Sequence, residues 1–179
     1  MLELSDKELV QRVKDGDVHA FEKLLFRYEK QIFFYILKFI NQNENAQDIV
    51  QETFIKVYRS LKTFDPEYKF KTWLFTIATN TAYDWLRKAK KTKEIFIIDD
   101  PDINFETIDE RLPYKIIEDK EYIDKVMKNL KPAYRSALLL YYYDGMKYEE
   151  ISQVLGVPIN TVKTYLSRAK AQLHKEIKQ

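Results

Sequence analysis

The chain has 179 residues, 45% of them hydrophobic and 32% charged, with no cysteine, two histidines and three glycines. That length fits one large or two small globular domains, and the absence of cysteine excludes a disulfide framework and a thiolate metal site. Neither a GxGxxG nor a GxxxxGK phosphate loop occurs, and the net charge of +2 conceals a strong segregation of charge along the chain.

From the N-terminus, Met1 to Glu8 has no basic segment followed by an apolar run, so it does not read as a signal peptide. Ser5-Asp6-Lys7-Glu8 fits a capping box that opens a first helix, followed by Leu9, Val10 and Val13. Asp15-Gly16-Asp17 ends it. Between Ala20 and Ile40, the residues Phe21, Leu24, Leu25, Tyr28, Ile32, Tyr35, Ile36 and Phe39 recur at three and four, the period of a long core helix. Its most apolar stretch, Ile32 to Leu37, is too short to cross a bilayer, so a cytoplasmic protein is expected. His19 and His174 stand far apart, and no carboxylate spacing near either suggests a metal; no metal and no cofactor is expected.

Asn41 to Asn45 reads as a loop and about Ala46 to Leu61 as a third helix. On it, Asp48, Gln51, Glu52, Ile55 and Tyr58 fall at three- and four-residue intervals and share one face. Two acids, an amide and an aromatic suit a protein partner that offers basic side chains and an apolar anchor point. Ile49, Phe54 and Val57 are expected in the core. After a turn at Phe64-Asp65-Pro66, a fourth helix is predicted from about Lys71 to Lys90. Leu74, Ala78, Ala82 and Trp85 take one side of it. Trp73, Thr76, Asn80, Tyr83, Asp84 and Arg87 take the other, and Lys88, Lys90 and Lys91 extend a basic track. Rings interleaved with hydrogen-bond donors and cations are what unpaired bases and their phosphates require.

Residues 94 to 121 are rich in acids, hold Pro101 and Pro113, and show little periodicity; they read as a linker. Self-repulsion would keep such a tether extended. Beyond it come a helix from about Tyr122 to Leu130, another from Pro132 to Tyr143, and then two helices joined by a tight turn. Ile151, Val154 and Leu155 form the apolar stripe of the first of these. Gly156 suits a left-handed residue past its end, and Pro158 introduces the next helix. On that last helix Val162, Leu166, Ala169 and Leu173 should pack inward. Asn160, Thr164, Ser167 and Arg168 face outward, with Lys163 on one flank. These side chains can bond base edges or phosphates, as the second helix of a helix-turn-helix does in a major groove. The prediction is an all-α protein: a domain over 1–93, an acidic linker over 94–121, and a helix-turn-helix domain over 122–179.

At this level of detail the sequence resembles a bacterial sigma factor of the extracytoplasmic-function (ECF) type, in the sigma-70 family. Four stretches carry the likeness: Asp17 to Leu24, Ala46 to Tyr58, Phe70 to Asp84, and the C-terminal helix-turn-helix. The resemblance implies a factor that binds core RNA polymerase and directs it to promoters. It gives polymerase binding, on the β′ clamp, to Asp48, Gln51, Glu52, Ile55 and Tyr58, with the β flap as a further polymerase contact. It gives melting and reading of the −10 element to the helix bearing Trp73, Thr76, Asn80, Tyr83, Arg87 and Lys88, with the loop from Asp65 to Lys69 able to cap an extruded base. It gives −35 reading to Asn160, Lys163, Thr164, Ser167 and Arg168. It also implies an anti-sigma factor as partner, a linker acting as a nucleic-acid mimic in the polymerase, no small-molecule substrate and no enzymatic activity. An autonomous helix-turn-helix regulator that binds duplex operator is the alternative; it leaves the faces of the third and fourth helices without a purpose.

Overall fold

The capping box predicted at the N-terminus is formed. The Ser5 amide donates to Glu8 Oε2 at 2.8 Å and the Glu8 amide to Ser5 Oγ at 3.3 Å, closing the start of α1, Asp6–Lys14. The hydrogen bonds from Ser5 hold the Glu8 carboxyl below the usual carboxylate range. The computed structural model describes residues 4–40, 43–90, 127 and 129–177. The predicted acidic linker, Lys91 and nearly all of the predicted 122–130 helix lie outside them.

Gly16, at φ 98°, turns the chain after α1. The long helix α2 spans Val18–Ile40 and starts two residues earlier than its apolar pattern does, because Asp17 Oδ1 accepts from the Ala20 amide at 3.2 Å and so satisfies an orphan donor of the first turn. Arg27 and Tyr28 both donate to the Asp6 carboxylate, which pins α1 across α2. Helix α3, Asn43–Ser60, includes Asn43 to Asn45, so the predicted loop there is confined to fewer residues than expected. A 3-10 turn over Leu61–Thr63 leads to α4, Phe70–Lys90. Within the core of these four helices the Tyr35 hydroxyl meets Thr79 Oγ1 at 2.8 Å, and burial raises the Tyr35 pKa well above the ordinary tyrosine value.

The C-terminal half contributes α5, Pro132–Tyr142; α6, Tyr148–Leu155; and α7, Ile159–Ile177. Pro132 sits in the first turn of α5, where a missing amide costs nothing. Gly156 ends α6 at φ 65° and ψ 33°, the left-handed conformation its position requires, and Ser152 Oγ donates to the Val157 carbonyl at 2.6 Å across the turn. Among the described residues every regular element is helical.

The two halves pack against each other, an arrangement that a tether alone does not specify. Their buried apolar residues form one continuous cluster. Helix α5 lies on α2 and α6 lies on α4. Lys71 Nζ donates to the Asp144 carbonyl at 2.9 Å, and Lys69 pairs with Glu150 at 2.8 Å. Asp144 also lines a cavity of about 240 Å³ with Gln31, Tyr35 and Lys38 of α2 and with Tyr143.

Burial pushes the Asp144 carboxyl up to about 7, against the opposing pull of the Lys71 ammonium. The packed arrangement therefore holds a proton that the separated halves, with an ordinary carboxyl at 3.8, release. Its contribution is full below 3.8 and is lost as pH rises through about 7. Other carboxylates titrate in the same window, so the check is a difference. The stability lost between pH 4 and pH 8 by the native chain should exceed that lost by Asp144→Asn in urea titrations. Equal losses would contradict the placement of Asp144.

Candidate nucleic-acid and protein interfaces

Helix α3 presents the predicted face intact. Asp48, Gln51, Glu52, Ile55 and Tyr58 are all exposed, while Ile49, Phe54 and Val57 are buried as expected. Ile55 and Tyr58 keep 51% and 50% of their surface in solvent, unusual for large apolar side chains and suited to an anchor point. Glu52 also reaches Lys56 at 2.9 Å along the helix. Beside this face runs a groove of about 560 Å³ between α2 and α3, lined among others by Val18, Phe21, Leu25, Phe54, Ile55 and Tyr58. The Phe21 and Tyr58 rings meet edge to face with centroids 4.9 Å apart. The three-four period assigned Phe21 and Leu25 to the core. They are only half-buried because they sit at the edge of the α2 stripe, and they form the second wall of the groove. The exposure of Val18 just after the Asp17 cap was the available sequence signal for that wall.

On α4, Asn80, Arg87 and Lys88 are exposed, and Arg87 pairs with Asp84 at 2.5 Å. Three other predicted residues are less free. Trp73 is half-buried, its ring 4.6 Å from that of Phe64 and 5.9 Å from that of Phe70. Thr76 Oγ1 donates back to the Thr72 carbonyl at 2.9 Å. Tyr83 does not belong to the exposed face. It is 4% exposed, its ring packs edge-on to Phe39 at 5.0 Å, and its hydroxyl lies 3.3 Å from Ser136 Oγ of α5. Burial pushes its phenol up to about 12. Tyr83 sits at the margin of the polar arc of α4, where the arriving C-terminal half decides its environment. Trp85, expected to be buried opposite, is only partly so.

On α7, Val162, Leu166, Ala169 and Leu173 are buried as predicted, joined by Tyr165. Asn160 and Lys163 are exposed. Thr164 and Ser167 are half-buried, and Thr164 Oγ1 donates to the Asn160 carbonyl at 2.9 Å. Arg168 is half-buried and turned toward α5, its Nη1 donating to the Tyr134 hydroxyl at 3.0 Å. It reaches outward only by giving up that bond. Lys170, on the flank, is buried with its ammonium 5.8 Å from the Tyr142 ring centre.

Two family models match the chain, Sigma-70 region 2 over residues 24–92 and Sigma-70 region 4 over residues 120–173. The RNA polymerase sigma-H factor of Pseudomonas aeruginosa is 33% identical, over 96% of this chain and 93% of its own. The ECF RNA polymerase sigma factor SigW of Bacillus subtilis is 30% identical, over 99% of each. The chain belongs to the ECF RNA polymerase sigma factors. It shares its fold with the sigma factor RpoE of Bartonella quintana, solved with the anti-sigma factor NepR, at a TM-score of 0.70 and 24% identity over 90% of this chain and 98% of that one.

Sigma factors of this type direct RNA polymerase to promoters. In this sigma factor the α4 surface and the α7 surface belong to the two matched regions, and the α3 face belongs to the first. The residue that sequence patterning missed altogether is Arg135. It lies on α5, is 7% exposed, and donates through Nη1 to the Phe39 carbonyl at 2.7 Å and through Nη2 to the Leu130 carbonyl at 3.0 Å. Burial lowers its guanidinium to about 10, still charged at neutral pH. A single arginine inside an apolar helix pattern was its only trace in the sequence.

Proposed function

We propose that this sigma factor grips core RNA polymerase with Asp48, Gln51, Glu52, Ile55 and Tyr58 of α3, with the α2–α3 groove taking an apolar anchor from the β′ clamp. Residues 1–93 form the polymerase-binding and −10 unit, 122–179 the −35 unit, and 94–121 the link between them. Asn80 reads a −10 base, Arg87 and Lys88 hold the phosphates of the melted strand, and Trp73 supports the platform from its half-buried position. Asn160, Lys163, Thr164 and Ser167 face the −35 major groove, and Arg168 joins them from its place against Tyr134. The chain carries no catalytic role; phosphodiester chemistry belongs to polymerase. It works in the cytoplasm, and an anti-sigma factor that covers the α3 face competes with polymerase for it.

The observation that favours this over an autonomous regulator is the exposed face of α3, two acids and two large apolar side chains that a DNA-binding protein acting alone has no use for. A gel shift separates the two. A sigma factor retards promoter duplex only when core polymerase is added, whereas tight retardation by the protein alone supports the regulator.

Asn80 and Arg87 should fail differently. Asn80→Ala is expected to relax base preference at one −10 position. Arg87→Ala should weaken open-complex formation at all promoters alike, because a phosphate contact carries no base information. Permanganate footprinting on promoters varied at each −10 position reads both effects. A uniform loss for Asn80→Ala with its preference intact would remove Asn80 from base reading.

A further inference from the structure

The cross-domain contacts have a consequence for loading, given the reading of the chain as a factor for −10 and −35 elements. Elements about 25 base pairs apart, at about 3.4 Å per pair, are separated by on the order of 80 Å of duplex. A compact chain of this length has a radius of gyration of about 16 Å, so it is on the order of 40 Å across. With α5 seated on α2 and α6 on α4, one molecule cannot reach both elements. We infer that the contact set centred on Arg135 is a latch that holds the two promoter-reading halves shut, and that loading onto polymerase requires its release.

The chemistry of that contact is specific. The last carbonyls of a helix have no intrahelical partner and carry the negative end of its dipole. Phe39 lies in the last turn of α2, and the guanidinium that reaches its carbonyl comes from α5 in the other half. Arg135 is thus a C-terminal cap for α2 supplied in trans by the second domain. The Leu130 carbonyl holds the same guanidinium from its own side and aims it. Around it, Tyr83 meets Ser136, Lys71 donates to the Asp144 carbonyl, and Lys69 pairs with Glu150. Each of these pairs joins residues more than fifty positions apart, across the acidic linker. Opening returns the Arg135 charge and the Phe39 carbonyl to water, and it exposes Tyr83 at the edge of the −10 surface. The latch therefore couples domain separation to completion of the α4 face.

The absence of native cysteine allows dyes to be placed at Lys62→Cys and Gln172→Cys, both exposed and one in each half. Single-molecule energy transfer in the full chain should show one high-transfer population. Arg135→Met, which keeps volume and deletes the donors, should raise the low-transfer population roughly tenfold or more, the effect of a charged hydrogen bond. It should also speed association with core polymerase by a similar factor. If Arg135→Met loses cooperative melting, the pair Lys69→Met with Lys71→Met, on the first half, takes its place with the same expectation. Unchanged transfer in a folded variant overturns the latch, as does separation of the halves with no faster loading. Failure of the native chain to bind polymerase at all strikes the sigma-factor reading instead, while the energy-transfer measurement still decides whether Arg135 closes the molecule.

Discussion

Replacing Asp48 and Glu52 together by arginine is expected to abolish co-purification with core polymerase while leaving helical content unchanged. Both side chains are exposed on α3, and the one ion pair lost, Glu52 with Lys56, is half in solvent. Such a pair contributes at most about 1 kcal/mol, so the fold should survive. At an interface built for acids, two reversed charges instead face basic groups of the partner. Like-charge contact there costs several kcal/mol, which is two or more decades in Kd. Ile55 and Tyr58 remain to be buried, but an apolar anchor cannot dock against that repulsion. Undiminished polymerase binding by the double variant would take α3 out of the interface.

Leu166→Ala should produce the largest loss of stability among changes on α7. Leu166 is 3% exposed, on the side of the helix that packs toward α5 and α6. Truncation there loses transfer energy and leaves a cavity, roughly 2–5 kcal/mol in all. For a chain of this size the melting temperature should fall by on the order of 10 °C. Arg168→Ala is the contrast. It removes one hydrogen bond to Tyr134 from a half-buried side chain, about 1 kcal/mol, and should melt only slightly early while still losing −35 transcription. Differential scanning calorimetry beside promoter transcription for each variant tests the pair. Equal melting of the two variants would mean that the faces of α7 are wrongly assigned.

Periodic features of the fold were legible in the sequence, and features decided by a distant partner were not. The stripes of α2 and α7, the Ser5–Glu8 cap and the Gly156 turn are local: residues within one or two turns determine them, and all four are present. Helix starts shifted by a residue or two where a cap such as Asp17 was not credited. The α3 face was legible because polar and apolar residues alternate cleanly around that helix, and each predicted residue is exposed. Tyr83, Arg168 and Arg135 were not legible, because what surrounds each comes from a helix far away in sequence. Ser136 buries Tyr83 from fifty-three positions on, Tyr134 holds Arg168 across thirty-four, and Phe39 receives Arg135 across ninety-six. A helical wheel assigns a direction to such residues but carries no information about which neighbour arrives there.

The account rests most directly on what the purified chain does with polymerase and promoter DNA. Run-off transcription with core polymerase on a promoter library, with and without this protein, measures it. The expected result is transcripts that begin downstream of paired −35 and −10 elements, appear only when both components are present, and vanish with Asp48→Arg and Glu52→Arg together. No protein-dependent transcript from core polymerase that this chain demonstrably binds would contradict it.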